Sequence, residues 1–245
     1  MRAVFLLLSV SSTRLAGAFF LILAGFLASG SARAEQGQLM ADVVLVKSVQ
    51  GKGCLHLDPN TSEWAPLKPG QLLRNNSIIR TGNNSRCRLI FLDGQGILSL
   101  DNDSKLMISA ENIEKKLIKL IQFTYGTALV EIHSHPASAL EIQTASHLLS
   151  ASKARFLLKY SEKDRVMRLW GIKGRLKILD NDSGDWRNVD AEEYARLSLA
   201  RKGGKSKTGR NGPPSSGFTI TKANERTNNE LHKSLALLAW YYTDE

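Results

Sequence analysis

The histidines, cysteines and clustered acids are the residue types in this chain that could do chemistry. His133-Ser134-His135 sets two imidazoles two positions apart. On a strand both would face one side, a plausible metal pair. No third ligand stands near them in sequence and Pro136 follows at once, so strand-end histidines are the expectation. Asp180-Asn181-Asp182-Ser183-Gly184-Asp185 imitates the opening of a calcium loop. The EF-hand pattern wants Gly at the sixth place and Glu at the twelfth, and this run has Asp185 and Ala191 there. A turn between strands is the better reading, as it is for Asp101-Asn102-Asp103-Ser104. There is no G-x-S-x-G elbow, no H-E-x-x-H and no phosphate-binding loop. The expectation is a non-enzymatic chain with no catalytic, cofactor-binding or metal-binding residues.

Chain organisation sets the compartment. Residues 1–34 carry Arg2 and Arg14, then an uncharged run with Phe19-Phe20-Leu21-Ile22-Leu23 at its heart. Ala32-Arg33-Ala34 closes it with an A-x-A pattern, so a secretory signal peptide cleaved before Glu35 is expected. The rival is an uncleaved anchor, but the apolar core is shorter than the about 20 residues a spanning helix needs. Cleavage removes three arginines and no acids from a chain of formal charge +10. A basic exported chain could contact an anionic membrane surface or a glycan. A solvated surface with a basic tail is the simpler reading. No zinc-finger spacing, helix-turn-helix pattern or aromatic-interleaved basic stripe argues for nucleic acid.

The cysteines, Cys54 and Cys87, are even in number, which in an exported chain permits one disulfide. That bond would stabilise by about 3–4 kcal/mol in the chain-entropy model. Two buried thiols facing different ways are the alternative.

The elements that would position these residues are short strands. Apolar runs at 43–49, 54–57, 77–81, 87–92, 97–100 and 105–108 are separated by Gly, Asn, Asp and Pro clusters. In the run from Cys87 to Leu92, alternation puts Cys87, Leu89 and Phe91 on one face and Arg88, Ile90 and Leu92 on the other. Asp93-Gly94 after it is a hairpin signal, and Gly82 and Gly94 are expected at positive φ. The segment from 114 to 125 fits both helical and strand spacing. Its later half reads as a strand ended by Gly126. Further strands follow at 128–133, 140–144, 155–160, 166–170 and 175–179, at intervals typical of an all-β sandwich or solenoid.

Residues 201–217 are basic and rich in Gly, Ser and Pro, and read as a flexible linker. Thr221 could cap a helix from Lys222 to about Tyr241, with Leu231, Leu235, Leu238 and Tyr242 on one face. Packing of that helix back on the β domain is the expectation. Docking to a partner or membrane is the alternative.

The stretch from Trp64 to Gly94 also carries a resemblance. W-x-P-L-x-x-G-x-x-L, then I-R-T-G-x-x-S-R-x-x-L-x-F-x-D-G, is similar to the FecR-type domain, a periplasmic all-β module. The matching positions include Trp64, Pro66, Gly70, Ile79, Arg80, Thr81, Gly82, Asp93 and Gly94. The second half departs from the pattern. The family's Gly-Thr pair is Lys153-Ala154 here, and the Pro expected after Thr144 is Ala145.

The resemblance implies a compact, coiled β-sandwich or solenoid-like domain over 42–199, followed by the linker and a C-terminal helical segment over 218–245. It implies motif residues with structural roles, and strands of Cys54 and Cys87 lying as near neighbours. FecR-type regulators carry signals from an outer-membrane transporter to a cytoplasmic sigma factor. Fewer than twenty residues precede the apolar run here, so a stand-alone periplasmic domain is expected. Its function would be that of a protein-binding or signalling-accessory module of the cell envelope. The alternative is an envelope glycan-binding or glycan-active protein, which Trp170 or Trp186 exposed on one face would favour.

Overall fold

Wherever apolar residues recur at every second position, one side of a strand can be buried, and the chain uses this pattern from Val44 to Leu197. A computed structural model of the chain describes residues 42–113, 115–135, 138–198 and 217–238. The expected signal peptide and most of the expected linker lie outside them.

The described residues form seventeen strands and one helix. The strands are β1 (Asp42–Gln50), β2 (Leu55–Leu57), β3 (Trp64–Pro66), β4 (Leu72–Arg74), β5 (Ile78–Thr81) and β6 (Arg86–Phe91). After these come β7 (Gly96–Leu100), β8 (Ser104–Ile113), β9 (Lys116–Ile132), β10 (Ser138–Gln143), β11 (His147–Ser150) and β12 (Ala154–Ser161). The last are β13 (Val166–Gly174), β14 (Leu176–Asp180), β15 (Trp186–Val189), β16 (Glu193–Ser198) and β17 (Gly217–Lys222), before helix α1 (Glu225–Leu238).

The strands form one continuous, unclosed hydrogen-bonded system folded into two layers. The first layer runs β4-β1-β6-β7-β9-β12-β13-β16-β17, all antiparallel. The second runs β3-β2-β5-β8-β9-β10-β11-β14-β15, with β9 and β10 parallel. The all-β expectation holds, with a C-terminal helix added. Inward side chains of both layers, among them Leu89, Leu98 and Leu158 from the first and Leu106, Ile121 and Ile178 from the second, build one core.

Strand β9 belongs to both layers. Residues 116–125 pair in the second layer, and residues 126–132 pair with β12 and β7 in the first. Gly126 makes the crossing. Its φ is +117°, and a Cβ there would lie 2.1 Å from Ser104 Oγ. Ser104 Oγ clamps the bend, accepting from Thr127 N at 3.0 Å and donating to Thr127 O at 3.2 Å. The sequence pattern suggests a strand ended by Gly126. The structure instead continues through it, because glycine alone tolerates that backbone against the Ser104 side chain.

Four further differences concern turns and the C-terminal region. Gly94 has φ +70°, but Gly82 does not adopt a left-handed conformation, and Asn84 at φ 54° takes that role in its turn. Strands β15, β16 and β17 extend the layers beyond the expected runs. Gly217 and Lys222, read as linker and helix, bound the edge strand β17. Helix α1 starts later than Thr221 suggests and is capped by Asn224. Thr227 N donates to Asn224 Oδ1 at 3.0 Å, and Asn224 N donates to Thr227 Oγ1 at 2.8 Å. This is the reciprocal arrangement of a capping box.

Helix α1 lies on the outer face of the first layer. Leu231 and Leu235 pack on Leu129, Leu157 and Trp170, as Ile172 and Tyr194 do from the sheet. Trp170 Nε1 donates to Thr227 O at 3.1 Å, which satisfies the one polar atom of a buried indole. Glu230 faces Arg168 at 3.4 Å and Lys159 at 3.7 Å.

Candidate functional site

The acidic clusters serve the backbone. Asp180 Oδ1 accepts from Asp182 N at 2.9 Å, and Asp180 O accepts from Gly184 N at 2.8 Å, closing the β14–β15 turn. Asp101 Oδ1 takes Arg86 Nε at 2.7 Å and Asn102 N at 2.9 Å. His133 lies just past the end of β9, with Nδ1 3.1 Å from Gly94 O. Among the described residues no group of three or more His, Cys, Asp or Glu is placed to hold a metal ion.

Most of the motif residues fix turns and corners. Thr81 Oγ1 donates to Asp101 O at 2.6 Å and accepts from Ser104 N at 2.9 Å. Gly82 N donates to Gly53 O at 2.9 Å, and Gly70 N donates to Val46 O at 2.8 Å. Asp93 Oδ1 accepts from Gln95 N at 3.1 Å, holding the β6–β7 hairpin in which Gly94 sits.

Asp93 also holds a buried charge. Lys119, on the inward face of β9 and 1% exposed, reaches across to the Asp93 carboxylate. Its ammonium also donates to Gln95 Oε1 at 2.8 Å and lies 5.3 Å from the centre of the Phe91 ring. Burial pulls the Lys119 ammonium below its usual range, and the bond to Asp93 opposes that shift. This site was missed in the sequence, although the phase of Lys119 with Ile121 and Phe123 places it on the inward face.

His147 on β11 is a second buried polar centre. It is 2% exposed, its Nδ1 is 2.7 Å from Ser146 Oγ, and it sits opposite Asp180 in the strand register. Burial holds its imidazole below the usual 6.5, against the raising influence of Asp180 and then Asp182. Cys54 and Cys87 are both buried, and their side chains hydrogen-bond to each other. Cys54 Sγ also lies 3.2 Å from Arg86 O. The bond with Cys54 and burial push the Cys87 thiol well up, whereas the bond from Cys87 draws Cys54 down.

Trp64 and Arg80 are the motif residues with large side chains facing solvent. Trp64 is 40% exposed on the edge strand β3, and the Arg80 guanidinium stacks 4.8 Å from its ring centre. They belong to two adjacent cross-strand rows on the outer face of the second layer. One row links Trp64, Leu57, Ile78, Met107 and Gln122. The next links Pro66, Leu55, Arg80, Lys105 and Tyr125. Inward neighbours such as His56, Ile79 and Leu106 are buried, so these rows point outward. Trp186, 55% exposed, stands on the same face at the far edge strand, β15. Eight strand steps of about 4.8 Å put it about 38 Å from Trp64 measured along the sheet. Trp170 is buried under α1.

Comparison with known proteins bears out the resemblance. Residues 77–176 match the family model described as FecR protein, which leaves Trp64 and Gly70 before the matched span. No curated protein matches the chain. Two crystal structures of a candidate anti-sigma factor from Parabacteroides distasonis are similar, each with TM-score 0.48, at 10% and 11% identity. Each match covers 62% of this chain and 62% of the other, so the chain spans under two thirds of those proteins' length.

Proposed function

We propose that this chain is an exported envelope module that works by binding a protein partner, as an accessory to signalling, rather than by catalysis. The observation that carries this reading is the FecR match over residues 77–176. Two features support it. The buried polar groups Lys119, Asp101 and Thr81 are engaged in holding strands and turns together. The outward-facing residues Trp64 and Arg80 are of types enriched at protein interfaces.

The periplasm is the proposed compartment, reached through the signal segment at 1–34. The motif residues Gly70, Thr81, Gly82, Asp93 and Gly94 are assigned to the scaffold. The experiment is a crosslinking pull-down from intact envelopes. Specific recovery of one envelope protein is expected, and recovery of none under saturating crosslinker would sink the reading.

A second reading, envelope glycan binding, has one observation in its favour, the exposed Trp186. The companion aromatic that would have shared an exposed face, Trp170, is covered by α1. Retention of the purified chain on insoluble peptidoglycan, lost in Trp186→Ala, would be the result in its favour.

A further inference from the structure

We propose that the outer face of the second layer over β3, β2, β5 and β8 docks an acidic polypeptide segment that presents carboxylates beside apolar side chains. The proposal rests on the protein-binding reading above and names the surface and the chemistry of the partner.

The surface has two parts. Trp64, Leu57, Ile78 and Met107 make an unbroken apolar row across four strands. Arg80 and Lys105, directly opposite each other on β5 and β8, lie in the adjoining row. Those rows hold no carboxylate over these four strands, and neither cation forms an ion pair with a described residue. With no carboxylate in these rows to compete, an incoming carboxylate can pair with either cation. The Arg80 guanidinium meanwhile rests on the Trp64 ring, which holds both groups in place before any partner arrives. Among the described residues the one helix lies on the other layer, and Trp64 remains 40% exposed.

The same facts select among occupants. A second copy would bring the same cations against these cations. A glycan needs several aromatic planes with hydrogen-bonding groups between them, and in these two rows over the four strands Trp64 is the one aromatic, followed by Leu57, Ile78 and Met107. An acidic segment with apolar side chains satisfies both rows at once. Its carboxylates meet Arg80 and Lys105, and its apolar groups cover the row from Trp64 to Met107.

The test uses the full chain in intact cells that export it. A photo-crosslinking residue is placed at Met107, and separately at Asn229 on the exposed side of α1, and the crosslinked segment is sequenced. A segment rich in Asp or Glu and in Leu, Ile or Phe, crosslinked from Met107, is expected. A synthetic peptide of that segment should bind the purified chain, weaken at higher salt, and lose about tenfold or more in affinity with Arg80→Glu or Trp64→Ala. Exchanging the peptide's acids for lysines should restore binding to Arg80→Glu.

These variants lie on the surface, and unchanged thermal unfolding will show that they fold. Crosslinking from Asn229 but not Met107 overturns the surface while leaving the protein-binding reading standing. No protein crosslinked from either site removes both. A segment without carboxylates overturns the proposal, as does charge exchange without effect, or binding of chitohexaose in place of any peptide.

Discussion

At the scale of single residues, the most consequential side chain is one that ordinarily stays in water. Lys119 is buried with its charge held by Asp93 and Gln95. Removing one partner of a buried ion pair strands the other, at about 3–5 kcal/mol. Asp93→Ala should therefore lower the urea midpoint strongly, and adding Lys119→Met should recover part of the loss. Equal midpoints for the single and double variants would show that the pair is not coupled.

His147 makes a prediction in pH. Burial depresses its folded pKa below 6.5, so between those values the unfolded chain binds more protons. Stability is then highest above 6.5 and falls as the pH drops through 6.5 towards the depressed folded value. Urea unfolding at pH 7.5 and 5.5 should show a decline that is smaller in His147→Gln. An identical decline in the variant would assign the pH dependence to other groups.

At the scale of elements, β9 is the strand that joins the two layers, and Gly126 is its crossing point. Gly126→Ala combines a backbone strain of about 1–3 kcal/mol with an overlap on Ser104 worth about as much again. A loss of about 3 kcal/mol or more is expected. Gly94 also has a positive φ, but a Cβ there would meet nothing within 4 Å. Gly94→Val should cost only the strain, about 1 kcal/mol or more. Chemical denaturation of the two variants should place Gly126→Ala well below Gly94→Val, and the reverse order would contradict the crossing. Helix α1 is tied to the same framework from outside, through Trp170 and Thr227. Its fourteen residues are near the length at which an isolated helix is marginal, so packing on the first layer is what keeps it folded.

At the scale of the whole molecule, compartment and covalent state belong together. The A-x-A pattern at residues 32–34 predicts that the exported protein begins at Glu35. Intact-mass analysis of the envelope fraction checks this, and recovery of chains that still begin at Met1 would refute it. Cys54 and Cys87 are free thiols in contact in the structure, and we propose that export to an oxidising compartment joins them, tying the corner after β1 to strand β6. We expect neither cysteine to be alkylated in denatured, unreduced protein, and both to be alkylated after reduction. Two modified cysteines without reductant would rule the bond out. Cys87→Ser should then cost about 3–4 kcal/mol under oxidising conditions.

How much of this was legible in the sequence depends on the range of the interactions involved. Alternation is local, so the strands carrying Val44, Leu89, Ile121 and Ile178 could be read from their own neighbours, and with them the all-β class. The hairpin at Asp93-Gly94 is local too, and so is the amphipathic stripe containing Leu231 and Leu235. Period-two spacing assigns a residue to one side of its strand, but it does not say what lies across from that side. Lys119 had the phase of a core residue and the chemistry of a surface one. Only the approach of the β6–β7 turn, which brings Asp93, made its burial affordable. The crossing at Gly126, the joining of β17 to β16, and the covering of Trp170 but not Trp64 or Trp186 were likewise decided by tertiary structure. Each depends on pairing between segments far apart in the chain, and no local pattern of side chains encodes which distant strand arrives.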